Sequence, residues 1–94
     1  MNKITKIHTD NAPAAVGPYS QAIAAGGMLY TSGQIALDPA TGEIVGDDVK
    51  AQAEQVMKNL AAVLAEAGTS QENVIKTTCF LKDMGDFGAF NEVY

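Results

Sequence analysis

Met28-Leu29-Tyr30-Thr31-Ser32-Gly33-Gln34-Ile35 is the stretch on which the fold turns. Up to Thr31 its residues are apolar, aromatic or β-branched, which is the composition of a strand. Ser32-Gly33-Gln34 then breaks the pattern where a buried strand would end. Glycine lets a ligand approach the backbone closely and leaves the Gly33 N–H uncovered. Ser32 adds a hydroxyl that can both donate and accept. A strand ending in an exposed N–H beside a hydroxyl makes a small anion-binding corner. The residues alone leave a second reading open, a β-bulge or turn with a surface serine, because an isolated glycine in a strand often marks a bulge.

Immediately before this stretch, Tyr19-Ser20-Gln21-Ala22-Ile23-Ala24-Ala25 can be extended. Gly26-Gly27 lies between the two runs and predicts a tight hairpin with a primed turn. Such a hairpin brings Tyr19 and Ser32 into neighbouring rows at opposite ends of the paired strands, with the register left open. Further back, Asn11-Ala12-Pro13 and Val16-Gly17-Pro18 are loop punctuation. Ile4 to His8 predicts a short first strand with poor alternation. His8 is the only histidine, so it reads as a surface residue rather than a metal ligand.

On the other side, Asp38-Pro39-Ala40-Thr41-Gly42 has the composition of a turn, flanked by strands at Ile35-Ala36-Leu37 and Glu43-Ile44-Val45. A helix follows from about Asp48 to Ala67. Asp47 or Asp48 caps it, and Gly68 ends it. Val49, Ala53, Val56, Met57, Leu60, Val63, Leu64 and Ala67 share one face, which predicts packing on the sheet. Glu54 and Lys58 are spaced for an ion pair on the wet face. Val74 to Lys82 predicts a strong strand, with Ile75, Thr77, Cys79 and Leu81 turned toward the helix. Cys79 then reads as a buried core thiol. Asp83 to Tyr94 predicts a second helix with Phe87, Phe90 and Tyr94 roughly on one face, weakened by Gly85 and Gly88.

At 94 residues the chain argues for one domain. Hydrophobic residues are 47% and charged residues 18%, a globular rather than disordered balance. The single cysteine allows no internal disulfide, which suits a reducing cytoplasm. No apolar run is long enough to span a bilayer, and no signal-peptide pattern opens the sequence. The net charge is −5, and all six basic residues are lysines. Arginine is the preferred fork for phosphates, carboxylates and guanine edges. An acidic chain without it is a poor nucleic-acid binder.

Four stretches together resemble the RidA/YjgF family: Gly17-Pro18-Tyr19-Ser20-Gln21-Ala22, Thr31-Ser32-Gly33-Gln34-Ile35, Lys76-Thr77-Thr78-Cys79-Phe80-Leu81-Lys82-Asp83 and Phe90-Asn91-Glu92-Val93-Tyr94. Each is weak alone; in this order they cover nearly the whole chain. The resemblance implies a chorismate-mutase-like α+β fold, a sheet with two helices on one face, assembled as a homotrimer. It implies hydrolytic deamination of reactive enamine and imine intermediates, 2-iminobutanoate and 2-iminopropanoate, released by pyridoxal-phosphate enzymes. No metal or organic cofactor is implied. Pockets of the family lie between subunits. By resemblance, Tyr19 lines the pocket, Ser32 and the Gly33 N–H hold the substrate end, and Asn91 lies nearby. No catalytic acid or base is identifiable.

The family pattern continues into two further strands, which carry an arginine for the substrate carboxylate and a glutamate for the attacking water. The sequence therefore reads as a single RidA-like domain over residues 1–94 without those strands, and the expectation is that these residues alone lack useful deaminase activity. Two other readings stand beside the deaminase. One is a binding module for small 2-keto acids. The other is a messenger-RNA endoribonuclease, an activity also attributed to relatives of the family.

Overall fold

The computed structural model describes residues 3–94. Three strands form an antiparallel sheet in the order β1-β2-β3: β1 Ile4–Ile7, β2 Ala22–Ala25 and β3 Met28–Thr31. The double-glycine turn forms as its composition demands. Ala25 pairs with Met28, and Gly26 and Gly27 have φ of 59° and 78°. Both angles lie in the left-handed region of a type I′ turn, where a side chain would be strained.

Register sorts the sheet into two faces. Ile7, Ala22 and Thr31 form one row and Thr5, Ala24 and Leu29 another. Ile7, Ala22 and Leu29 on this face join Ala12, Ala62 and Val63 in the core. The opposite face carries Ile4, Lys6, Ile23, Ala25, Met28 and Tyr30. There Ile4 and Tyr30 are 69% and 61% exposed.

Helix α1 spans Val49–Glu66. The Asp48 carboxylate accepts from the Ala51 N–H at 2.8 Å and caps its first turn. At the other end the Gly68 N–H donates to Ala65 O and the Thr69 N–H to Leu64 O, at 3.0 and 2.9 Å. These two bonds are the Schellman pattern. Ala53, Val63 and Leu64 are buried as their spacing predicts. Leu60 is only half-buried, because it faces a cavity rather than packed side chains. Glu54 and Lys58 are both exposed, and no ion pair joins them. Lys50 pairs instead with Glu92 of the second helix, α2, Phe87–Val93. The bond to Glu92, and then its charge, raise the Lys50 pKa above the usual lysine value. A raised pKa stabilises the fold below the ordinary lysine range, and the contribution disappears as pH climbs through the raised value. A short 3₁₀ turn, Met84–Asp86, leads into α2, with Asp83 accepting from the Gly85 N–H. Helix α2 lies against α1, and the Phe90 and Tyr94 rings stack at 5.4 Å.

Two expectations are corrected. Residues Val74 to Lys82 form no strand, and the predicted inward face is uncovered, with Ile75 80% exposed. Cys79 is an exposed thiol rather than a core one. The cause is pairing. β-Propensity marks a segment that fits a pleated surface, but a ladder needs a hydrogen-bonded neighbour. Among the described residues no strand pairs with this segment; its contacts are a turn bond from the Val74 N–H to Gln71 O and a side-chain bond between Thr77 and Tyr94. The flanks of the Asp38–Gly42 turn form a reduced hairpin, with one bridge between Leu37 and Ile44.

Candidate functional site

The hairpin base brings Ser32 and the chain before β2 together. The Ser32 N–H donates to the Gln21 carbonyl at 3.0 Å. The Ser32 hydroxyl donates to the Ser20 carbonyl at 2.5 Å. Ser32 and Tyr19 therefore sit at the same end of the hairpin, away from the Gly26-Gly27 turn. This corrects the expectation that they occupy opposite ends: β2 and β3 pair in strict register from the turn to Ala22 and Thr31, so the chain on each side emerges together.

Gly33 is exposed, and no hydrogen bond engages its N–H among the described residues. A Cβ built on Gly33 meets nothing within 4 Å. The corner is thus open, with a free donor next to a fixed hydroxyl. Tyr19 is 51% exposed, and its backbone N–H donates to Gly17 O at 2.9 Å. Asn91 lies on α2, exposed, and forms no hydrogen bond to the corner. Three of the four anticipated residues gather at the hairpin base, whereas Asn91 sits on a separate element.

Two buried amides hold this arrangement and were not anticipated. Gln21 is 2% exposed. Its carbonyl oxygen accepts from the Thr9 N–H at 2.7 Å, and its NH₂ donates to Thr9 O, Ala12 O and Pro13 O at 3.0, 3.4 and 2.8 Å. The loop over residues 9–13 is thereby pinned to the residue that anchors Ser32. Asn59, 1% exposed, donates from α1 to Ile35 O and Leu37 O at 3.1 and 2.9 Å. Its own carbonyl accepts from Gln55 at 2.8 Å. It fixes the segment that leaves the corner. The signal for Asn59 was its place four residues before Val63 on an apolar stripe. For Gln21 it was a lone amide ahead of a run of small apolar residues.

A cavity of about 480 Å³ lies elsewhere, between the inner sheet face, the last turns of α1 and residues 69–77. It includes none of Tyr19, Ser32, Gly33 or Asn91. It is the space that the unpaired segment after Asn73 leaves over the sheet. Among the described residues no group of histidine, cysteine or acidic side chains could hold a metal ion.

Residues 9–94 match the family described as Endoribonuclease L-PSP. The chain belongs to this family, the RidA/YjgF family. A RutC family protein of Synechocystis, slr0709, is 63% identical over 89 residues, covering 94% of this chain and 68% of that protein. A mouse protein named 2-iminobutanoate/2-iminopropanoate deaminase is 50% identical over 88 residues, covering 94% of this chain and 65% of its own. Among solved structures, E. coli TdcF with bound serine superposes with a TM-score of 0.91 at 46% identity, over 96% of this chain and 70% of that one. The RidA-like α+β fold follows from this match and from the antiparallel sheet and two helices. No helix of the described residues is long and apolar enough to cross a membrane.

Proposed function

We propose that this RidA/YjgF domain serves the hydrolysis of short 2-imino acids, 2-iminobutanoate and 2-iminopropanoate, to the 2-keto acid and ammonia. The observation that carries the reading is the open Ser32–Gly33 corner, in a chain half identical to a deaminase of that name. The serine bound to TdcF supports a ligand of amino-acid size. Water adds to the C=N carbon, the carbon–nitrogen bond then breaks, and the nitrogen leaves as ammonia after taking up protons. The corner's part is to bind and orient, which converts a random encounter into a positioned one. Gly33 supplies a backbone donor for a ligand oxygen, Ser32 a fixed polar atom beside it, and Tyr19 an aromatic wall. Neither Ser32 nor Gly33 bonds to a carboxylate or imidazole among the described residues, so the proton transfers fall to other groups or to water.

Residues 1–94 act as one domain in this reading. The apolar outer face of the sheet, with Ile4, Met28 and Tyr30 exposed, is the surface on which three copies assemble.

The family description also names an endoribonuclease. A net charge of −5 with no arginine disfavours RNA, whose phosphates supply most of the affinity in such complexes. Ammonia release from freshly generated 2-iminobutanoate, measured with the native protein beside RNA cleavage and 2-ketobutyrate binding, separates the readings. Faster ammonia release supports the deaminase. Binding without acceleration leaves a 2-keto-acid module, and RNA cleavage alone overturns both. The same assay on residues 1–94 beside a chain extended by the family's two further strands tests the expectation that residues 1–94 alone lack the activity, since they hold no arginine to pair with the carboxylate.

A further inference from the structure

The ladder between β1 and β2 ends at the pair Ile7 and Ala22. One position further, the side chain of Gln21 takes over the pairing. Its Oε1 accepts from the Thr9 N–H at 2.7 Å, and its Nε2 donates to the Thr9 carbonyl at 3.0 Å. These are the two backbone groups that a neighbouring strand would engage, so the side-chain amide stands in for a peptide unit. The same Nε2 reaches Pro13 O at 2.8 Å and Ala12 O at 3.4 Å. Two protons serve three carbonyls, so no donor of the amide is left over. On its other side, the Gln21 backbone carbonyl accepts from the Ser32 N–H at 3.0 Å. One residue therefore ties residues 9–13 to the chain that leaves β3.

The bond to Pro13 O also closes a loop. Residues 13–20 leave from that carbonyl and return at Ser20, whose own carbonyl accepts the Ser32 hydroxyl. Tyr19 lies inside the closure. Its N–H donates to Gly17 O, and a Cβ added to Gly17 would come within 4.0 Å of its ring. Tyr19 is 51% exposed, so burial does little to hold it, and the closed loop is what limits its range. We propose that Gln21 is a positioning residue for the hydrolysis: it closes the loop over residues 13–20 and so keeps Tyr19 in a set place relative to Ser32 and Gly33. At 2% exposure Gln21 has no path to a ligand and acts only through these neighbours. Opening the closure frees Tyr19 and leaves the ligand poorly aligned, a loss of orientation rather than of affinity. This role rests on the proposed reaction taking place at the corner.

The test is Gln21→Glu in the native protein labelled with 3-fluorotyrosine. The carboxylate keeps the shape of the side chain and the bond from the Thr9 N–H, but has no proton for Thr9 O, Ala12 O or Pro13 O. The fluorine line of Tyr19, assigned with Tyr19→Phe, is expected to shift or broaden while those of Tyr30 and Tyr94 stay. With 2-iminobutanoate, kcat is expected to fall about tenfold and KM to change less than about twofold. An unchanged Tyr19 line with native kcat overturns the proposal, and so does a rise in KM alone, which marks lost binding instead of lost alignment. A changed Tyr19 line with native kcat also overturns it: the closure then exists without serving the reaction, although the deaminase reading stands. If the unmodified protein does not accelerate ammonia release, the functional reading fails and the positioning role falls with it. Should Gln21→Glu not fold, Pro13→Gly loosens the same closure with Gln21 in place. It is expected to lower kcat about threefold at nearly constant KM, and an unchanged kcat overturns the proposal.

Discussion

Gly33 and Gly46 separate what a glycine does for a ligand from what it does for the fold. Gly33 has no left-handed φ, and a Cβ there meets open space. Gly33→Ala should leave thermal unfolding unchanged, or raise stability by up to about 1 kcal/mol. Gly46 has φ of 89°, and its added Cβ would lie 2.5 Å from the Cβ of Ala51. Gly46→Ala should therefore cost at least about 2 kcal/mol, combining backbone strain with a clash against the first turn of α1. Denaturant midpoints for the two variants check both statements, and equal shifts would contradict them. At this scale the sequence showed which atoms were available but not which were taken. Ser32 read as a group that both donates and accepts. That its proton goes to Ser20 depends on register and on the loop held by Gln21, neither of which a linear pattern contains. Asn59 is buried because residues 35–37 return beneath α1, a long-range event.

Elements whose partners are local were legible. The Gly26-Gly27 hairpin and the Asp48 cap involve residues a few positions apart, and α1 carries its own period. The segment after Asn73 was not legible as it stands, because a strand is a property of two segments. The apolar stripe of α1 also needed the structure to grade it. Val63 is fully buried in the core, whereas Leu60 borders the cavity. Val63→Ala should cost about 2 kcal/mol, near the full value of burying that side chain. Leu60→Ala should cost less than the roughly 2–5 kcal/mol typical of a buried leucine, because part of its surface is already uncovered. Chemical denaturation of both variants would show a misassigned face if Leu60→Ala reached the top of that range while Val63→Ala changed nothing.

The whole molecule is extended for its length. Its radius of gyration is 13.8 Å, against about 12 Å for a compact domain of this size. The unpaired residues 74–82 and the apolar outer sheet face are the visible sources of that openness. On the proposed assembly, Tyr30→Asp should place an unpaired charge in the subunit contact and shift the mass by light scattering from three chains to one. An unchanged mass would remove that face from the interface. The residues of the corner lie outside the core cluster, with Tyr19 and Gly33 exposed, so a catalytic change there need not be a change in folding. The most direct measurement is ammonia release from freshly generated 2-iminobutanoate by the native protein and its Gly33→Ala variant, with melting temperatures recorded on the same samples. The corner predicts that kcat/KM falls about tenfold, because the added methyl group crowds the ligand's approach to the Gly33 N–H, a donor that alanine keeps, with no loss of melting temperature; equal rates from two equally folded proteins would contradict it.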